Sequence, residues 1–230
     1  MHIAQGDIAD DINDALNQIA TSEPSPIFDK KGIIFKKEKR LYAKIGIGKM
    51  GAIKIIEKYY NPESKAYHFL FHHSRMVTEK ALKIAKRVKH LNPDLKFIEE
   101  AAMLHDIGIF LTNEPKIGCY GDKPYVCHGY LARQILEKEG LPGHALVCER
   151  HVGVGISVRD IEEKILPVPK RDMIPVSIEE QIICFADKFF SKDSVFLLKE
   201  KPLERVREYI SKFGEDKIKR FDEWVKIFGC

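Results

Sequence analysis

The apolar positions divide the chain near residue 50, and beyond it they recur at helical spacing in one segment after another. Over Tyr67–His90, the residues Val77, Ala81, Ile84, Ala85 and Val88 fall at i, i+4, i+7, i+8 and i+11 and make one broad apolar face. Shorter helices are predicted over Ala52–Tyr60, where Asn61-Pro62 ends the pattern, and over Phe97–Leu104, His128–Glu139 and Pro142–His151. Ser177 with Glu180 three residues later has the form of a capping box and starts a helix that carries Asp187. Two more helices follow, over 202–213 and 216–228, with Leu203, Val206 and Ile210, then Phe221, Trp224 and Phe228, on their apolar faces. Residues 109–126 read as a loop, and the glycine- and proline-containing stretch 152–176 as irregular.

The first 49 residues differ in character. Ile8, Ile12, Ala15, Leu16 and Ile19 have helical spacing, and Ser22-Glu23-Pro24-Ser25-Pro26 breaks that helix. Ile27-Phe28 and Ile33-Ile34-Phe35 then flank Asp29-Lys30-Lys31-Gly32 as a small hairpin, followed by the basic stretch Lys36–Arg40, read as a solvated edge strand. The expected organisation is an accessory segment over 1–49 and an all-α helical core over 50–230.

Composition narrows the function classes. With 44% hydrophobic and 31% charged residues, the 230-residue chain is an ordinary globular one. A net charge of +4 is mild and does not by itself indicate a dedicated nucleic-acid binder. No apolar run approaches the roughly 18 residues of a membrane span, and the acidic N-terminus lacks the form of a secretory signal. Five cysteines, none in CxxC spacing, argue against a disulfide framework or a thiolate zinc site, so a reducing cytoplasm is the expected compartment. Cys127 and Cys148 read as small packing residues.

The chemistry centres on Leu104-His105-Asp106-Ile107-Gly108, where imidazole and carboxylate stand side by side at the end of an apolar helix. Together such groups bind borderline and hard divalent cations. His73 lies on the inward face of its helix, ahead of Val77 and Ala81. His128 opens one helix, His151 closes another, and Asp187 ends the apolar run Ile182-Ile183-Cys184-Phe185-Ala186. A carboxylate in that setting is costly without a partner cation. A shared metal site explains all six residues, and Asp106 suits a bridging position because a carboxylate has two oxygens to offer. His72 competes with His73 but stands one residue off the apolar register. His68 and His144 read as surface or supporting residues.

This set, with His105-Asp106-Ile107-Gly108 spelling the HDIG signature, resembles the HD-domain metal-dependent phosphohydrolases over residues 68–191. Its five-part His, His-Asp, His, His, Asp pattern is closest to the bimetal branch. The resemblance implies an HD-domain helical bundle in which His73, His105, Asp106 and Asp187 hold one divalent ion and Asp106, His128 and His151 a second. The ion is drawn from Fe, Mn, Zn, Co, Ni or Mg, with one or two bound. It also implies hydrolysis of a phosphoester or phosphoanhydride, of a nucleotide or related small molecule, with Asp106, Asp187 and Lys188 as catalytic residues. Asp187 would orient or deprotonate the attacking water. Val152 after His151, and the absence of a Gly-Tyr-Pro element, set the chain apart from the cyclic-di-GMP phosphodiesterases.

Phosphate needs cations nearby. Lys188 and Arg150 adjoin ligand positions, while Lys116 and Arg159 lie on loops; each of these also reads as a solvated surface charge. Two other functions stay open on the same scaffold: a di-iron oxygenase, and a non-catalytic ligand-sensing HD domain. A small phosphate ester is the expected partner, with no membrane. The C-terminal helices serve either core packing or a homodimer contact.

Overall fold

A computed structural model describes residues 50–191 and 199–229. The helix and hairpin expected within 1–49 lie outside the described residues. Nine α-helices account for most of what is described: α1 (Met50–Tyr59), α2 (Lys65–Arg87), α3 (Leu95–Leu104), α4 (His128–Lys138), α5 (Pro142–Arg150), α6 (Val158–Lys164), α7 (Ile178–Asp187), α8 (Leu203–Ser211) and α9 (Glu215–Phe228). No described helix is long and apolar enough to cross a membrane.

Local chemistry sets the helix starts. The Ser64 hydroxyl accepts from the Tyr67 amide at α2 (3.2 Å), and the Asp94 carboxylate accepts from the Lys96 and Phe97 amides at α3. Pro142 occupies the first turn of α5, where its missing N–H costs no helix bond. Ser177 caps α7 by accepting from the Glu180 amide (3.2 Å).

The long helix α2 packs its apolar face against α3 and α7, while α4 packs on α5 and on the turn that follows α3. Val77, Ala81, Ile84 and Ala85 are fully buried with Ile98, Ala101, Ile182 and Phe185. Phe185 sits among the rings of Phe189, Phe221 and Phe228 (centroids 5.1–5.4 Å), which fastens α7 to α9. Trp224 is buried with them, so the apolar side of α9 serves the core.

Two segments differ from the expectation. Within 109–126, β1 (Asn113–Glu114) and β2 (Cys119–Tyr120) pair antiparallel, and 3₁₀ turns follow α3 (Ile107–Leu111) and precede α4 (Tyr125–Cys127). The stretch 152–176 is not wholly irregular, because it contains α6. The start of α6 is a reciprocal capping box: Ser157 Oγ accepts from the Asp160 amide and Asp160 Oδ2 accepts from the Ser157 amide.

Asp160 is also the anchor of the C-terminal helices. Its carboxylate pairs with the buried Lys217 ammonium on α9, and Arg220 donates to the Val154 carbonyl (2.9 Å). Burial alone would raise the Asp160 pKa, but Lys217 and the two Ser157 bonds outweigh it and bring the carboxyl down to about 2. With the folded value below the unfolded one, the contribution is present above about pH 4 and is lost as pH falls toward about 2. Asp160→Asn is therefore expected to lower stability at neutral pH and to flatten its acid dependence in that window, read by denaturant titration at several pH values.

Candidate metal centre

Three of the site histidines share one local arrangement. His105 ends α3, His128 follows the 3₁₀ turn Tyr125–Cys127, and His151 follows α5. Each ring folds back on a carbonyl three residues earlier: Nδ1 lies 2.6 Å from Ala102 O in His105, 2.6 Å from Tyr125 O in His128, and 2.7 Å from Cys148 O in His151. A carbonyl can only accept, so each Nδ1 carries the hydrogen and donates it. In the neutral ring Nε2 is then a bare lone pair. At a helix end a carbonyl is within reach of a ring three residues on, and bonding it holds the ring with Nε2 aimed inward.

The lone pairs meet at Asp106, which is fully buried. Its Oδ2 lies 3.2 Å from His73 Nε2 and 3.1 Å from His105 Nε2, while Oδ1 lies 3.3 Å from His128 Nε2 and 3.4 Å from His151 Nε2. The two oxygens face two different histidine pairs. Asp187 Oδ1 joins the first group, 2.9 Å from His73 Nε2 and 3.6 Å from His105 Nε2. Thus two donor groups form, His73/His105/Asp106/Asp187 and Asp106/His128/His151, each with its atoms within 4.8 Å of one another.

The chemistry of these donors fits divalent cations. His128 and His151 point Nε2 at each other across 3.2 Å, a repulsive contact of two lone pairs unless a cation or proton stands between them. Donors held about 2.1 Å from one ion are spaced about 3.0 Å at right angles and about 3.4 Å in a tetrahedron. The observed separations of 2.9–3.6 Å lie on that scale. Burial favours a neutral His105, yet Asp106 and Asp187 raise its pKa to about 9. A proton on its Nε2 stands where a cation would, so cation binding at this group releases protons.

The surroundings hold these groups in register. Tyr60, just past α1, donates its hydroxyl to the Ile107 carbonyl (2.7 Å) and accepts from the Phe110 amide (3.2 Å), fastening the turn that begins at Asp106. Sequence reading missed it, because a tyrosine 47 residues from Ile107 gives no local signal. Tyr60→Phe removes both of these hydrogen bonds, each worth about 0.5–1.5 kcal/mol. We expect that loss in denaturant unfolding, together with a weaker divalent-ion affinity. Cys148 donates its thiol to Leu104 O (3.4 Å) and Cys184 to His151 O (3.3 Å). Burial pushes both thiols up, Cys184 to about 12, so they stay protonated and serve as struts.

The remaining sequence-named residues fall as follows. His72 is buried against Phe71, its pKa lowered by burial to about 4, and is in neither donor group. His144 packs on Phe97 beside Glu100 and is in neither donor group. Lys188 borders the centre: its ammonium lies 2.6 Å from Asp187 Oδ2 and donates to His151 O (3.1 Å), tying together the segments that carry the two groups. Arg150 is engaged by both oxygens of Glu180 (3.0 Å each), a strut from α5 to α7. Arg159 is exposed and pairs with Glu163, one turn along α6. Lys116 is exposed on the turn between β1 and β2.

The chain is 28% identical over 193 residues to a tRNA (cytidine(56)-2'-O)-methyltransferase of Thermoplasma volcanium, a match covering 80% of this chain and 51% of that protein. It is 32% identical over 124 residues to the enzyme of the same name from Picrophilus torridus, covering 53% of this chain and 33% of that protein. An uncharacterised protein of Methanocaldococcus jannaschii is 30% identical over 118 residues, half of this chain and 62% of that protein. The chain thus spans about half or less of the length of the two methyltransferases. No solved structure matches it. The HD domain sequence model matches residues 70–191, more than half of the chain, and the six donor residues lie within that range. The chain belongs to the HD domain family.

Proposed function

We propose that the chain is a metal-dependent phosphohydrolase acting on a phosphoester or phosphoanhydride, with Asp106 bridging two divalent cations. The observation that supports this reading most is the division of the two Asp106 oxygens between His73/His105 and His128/His151. A bound cation pair supplies Lewis acidity toward phosphoryl oxygens and a water of lowered pKa. His73, His105, Asp106 and Asp187 would hold one cation, and Asp106, His128 and His151 the other.

The chain's own groups divide the remaining work. Asp187 has one oxygen toward the donors and the other on Lys188, so it orients the attacking water and is a poor acceptor for its proton. Lys188 keeps the Asp187 carboxylate turned and stands as the cation beside the phosphate. Arg150 and Arg159 already have carboxylate partners, and neither they nor Lys116 are assigned to phosphate.

Methyl transfer is not proposed. The chain spans about half of one methyltransferase and a third of the other, while the His/Asp centre lies within the segment that the HD domain model matches. The relatives' names do leave an RNA-derived phosphate among the substrates to try.

The test is phosphate release from nucleotides, dinucleoside polyphosphates, phosphodiesters and simple monoesters, with Mn, Fe(II), Co, Ni or Mg. Release that is abolished by chelation and restored by one of these ions is the expected result. No release from any substrate by ion-loaded protein overturns the reading, and dioxygen consumption by an iron-loaded form would put oxygen chemistry in its place.

A further inference from the structure

The flank of α2 beyond the centre carries a second arrangement that the centre does not use. Met76, Lys80, Lys83 and Arg87 follow His73 at i+3, i+7, i+10 and i+14, one stripe along the helix. With Lys86 and Phe190 they border a groove of about 650 Å³. One wall therefore begins a turn beyond His73, and Phe190 on the other wall is three residues beyond Asp187. From His73 to Arg87 the helix rises about 21 Å at roughly 1.5 Å per residue.

The charge on this groove is unbalanced. Glu79 and Glu200 also line it, but Glu200 pairs with Lys80 and Glu79 faces Arg75 at 3.7 Å. Lys83 and Lys86 are exposed and make no ion pair among the described residues, and the Arg87 guanidinium donates to the Gly229 carbonyl (3.3 Å). A helix C-terminus favours cations in its last turn, which accounts for Lys86 and Arg87. It does not account for Lys83 one turn earlier; the floor below is half-buried Met76 and Phe190, the latter packed in the core. A row of cations with exposed Lys83, Lys86 and Arg87 suits a chain of phosphates, and about 21 Å accommodates several nucleotides of a single strand.

We infer that this groove is the track for a single-stranded oligonucleotide whose reacting phosphate lies at the metal centre. The inference names a substrate class for the proposed hydrolase and rests on that reading for the chemistry. Its readout is binding, so the two can fail separately.

The experiment is fluorescence anisotropy of labelled 12-nucleotide RNA and DNA single strands with the full chain, in EDTA so that no turnover intervenes, across a salt series. Lys83→Glu combined with Lys86→Glu is compared with Lys212→Glu combined with Lys219→Glu, which makes the same charge change outside the groove. Far-ultraviolet circular dichroism and a thermal melt check that both variants fold. The groove variant is expected to lose at least tenfold in affinity and about 1.4 in the slope of log K against log salt, at about 0.7 per single-strand phosphate contact, while the control changes little. The inference is overturned by an absence of binding, by equal losses in both variants, or by inorganic polyphosphate competing as well as the strands do. Preference for RNA or for DNA supports it either way and identifies the source of the phosphates.

Discussion

Asp106→Ala is expected to abolish loading of both cations and with it phosphate release. The residue faces His73 and His105 with one oxygen and His128 and His151 with the other, so its removal takes a donor from both groups at once. Loss of a residue that merely supports a ligand costs about 10–100-fold in affinity or activity. Loss of the bridge should exceed that, by about three orders of magnitude or more. His128→Ala removes a donor from one group and leaves four donors in the other, so it is expected to keep one cation and to lose the second. Ion content by elemental analysis, measured beside phosphate release, separates the two variants. Equal ion content in wild type and Asp106→Ala would contradict the assignment.

The second large effect is expected at Gly108. A Cβ there would lie 2.4 Å from the His128 carbonyl oxygen, 2.6 Å from the Ala132 amide nitrogen and 3.1 Å from the Ala132 Cα. All three are backbone atoms of α4, which no side-chain rotation can move aside. Gly108→Ala therefore pushes the turn after Asp106 away from the helix that His128 begins. Overpacking of this kind costs about 1–3 kcal/mol and occasionally more; backbone contact on three atoms puts Gly108 at about 3 kcal/mol. In a domain of this size that is a fall of about 6–12 °C in Tm. The variant should also bind the His128/His151 cation less tightly. Gly51→Ala is the control: nothing lies within 4 Å of its Cβ, and alanine in a helix is favoured by up to about 1 kcal/mol. Comparable losses in the two variants would show that the close approach at Gly108 is not the cause.

The helical core was legible because α2 carries an uninterrupted apolar face, and because Ser177 and Glu180 announce α7 in their side chains. The donor residues were legible for a related reason. A histidine at a helix end can bond the carbonyl three residues back, and His105, His128 and His151 all do. Helix α6 was hidden because it is seven residues long and lies between Gly155 and Pro167. Its Ser157-x-x-Asp160 box was nonetheless in plain view. The charges were the least legible part. The Arg159–Glu163 pair has i, i+4 spacing and was readable, whereas Arg150 meets Glu180 across 30 residues and Lys217 meets Asp160 across 57. Neighbourhood in sequence placed Arg150 and Lys188 near the centre, but only tertiary packing shows which carboxylate each one takes.

The most direct measurement is anomalous diffraction from crystals soaked in Mn(II), collected at the manganese edge. Two peaks about 3.5–4 Å apart, one beside His73, His105 and Asp187 and the other beside His128 and His151, with Asp106 between them, are the expected result. A single peak, or none with Asp106 retaining its position, would contradict a bridged two-cation centre.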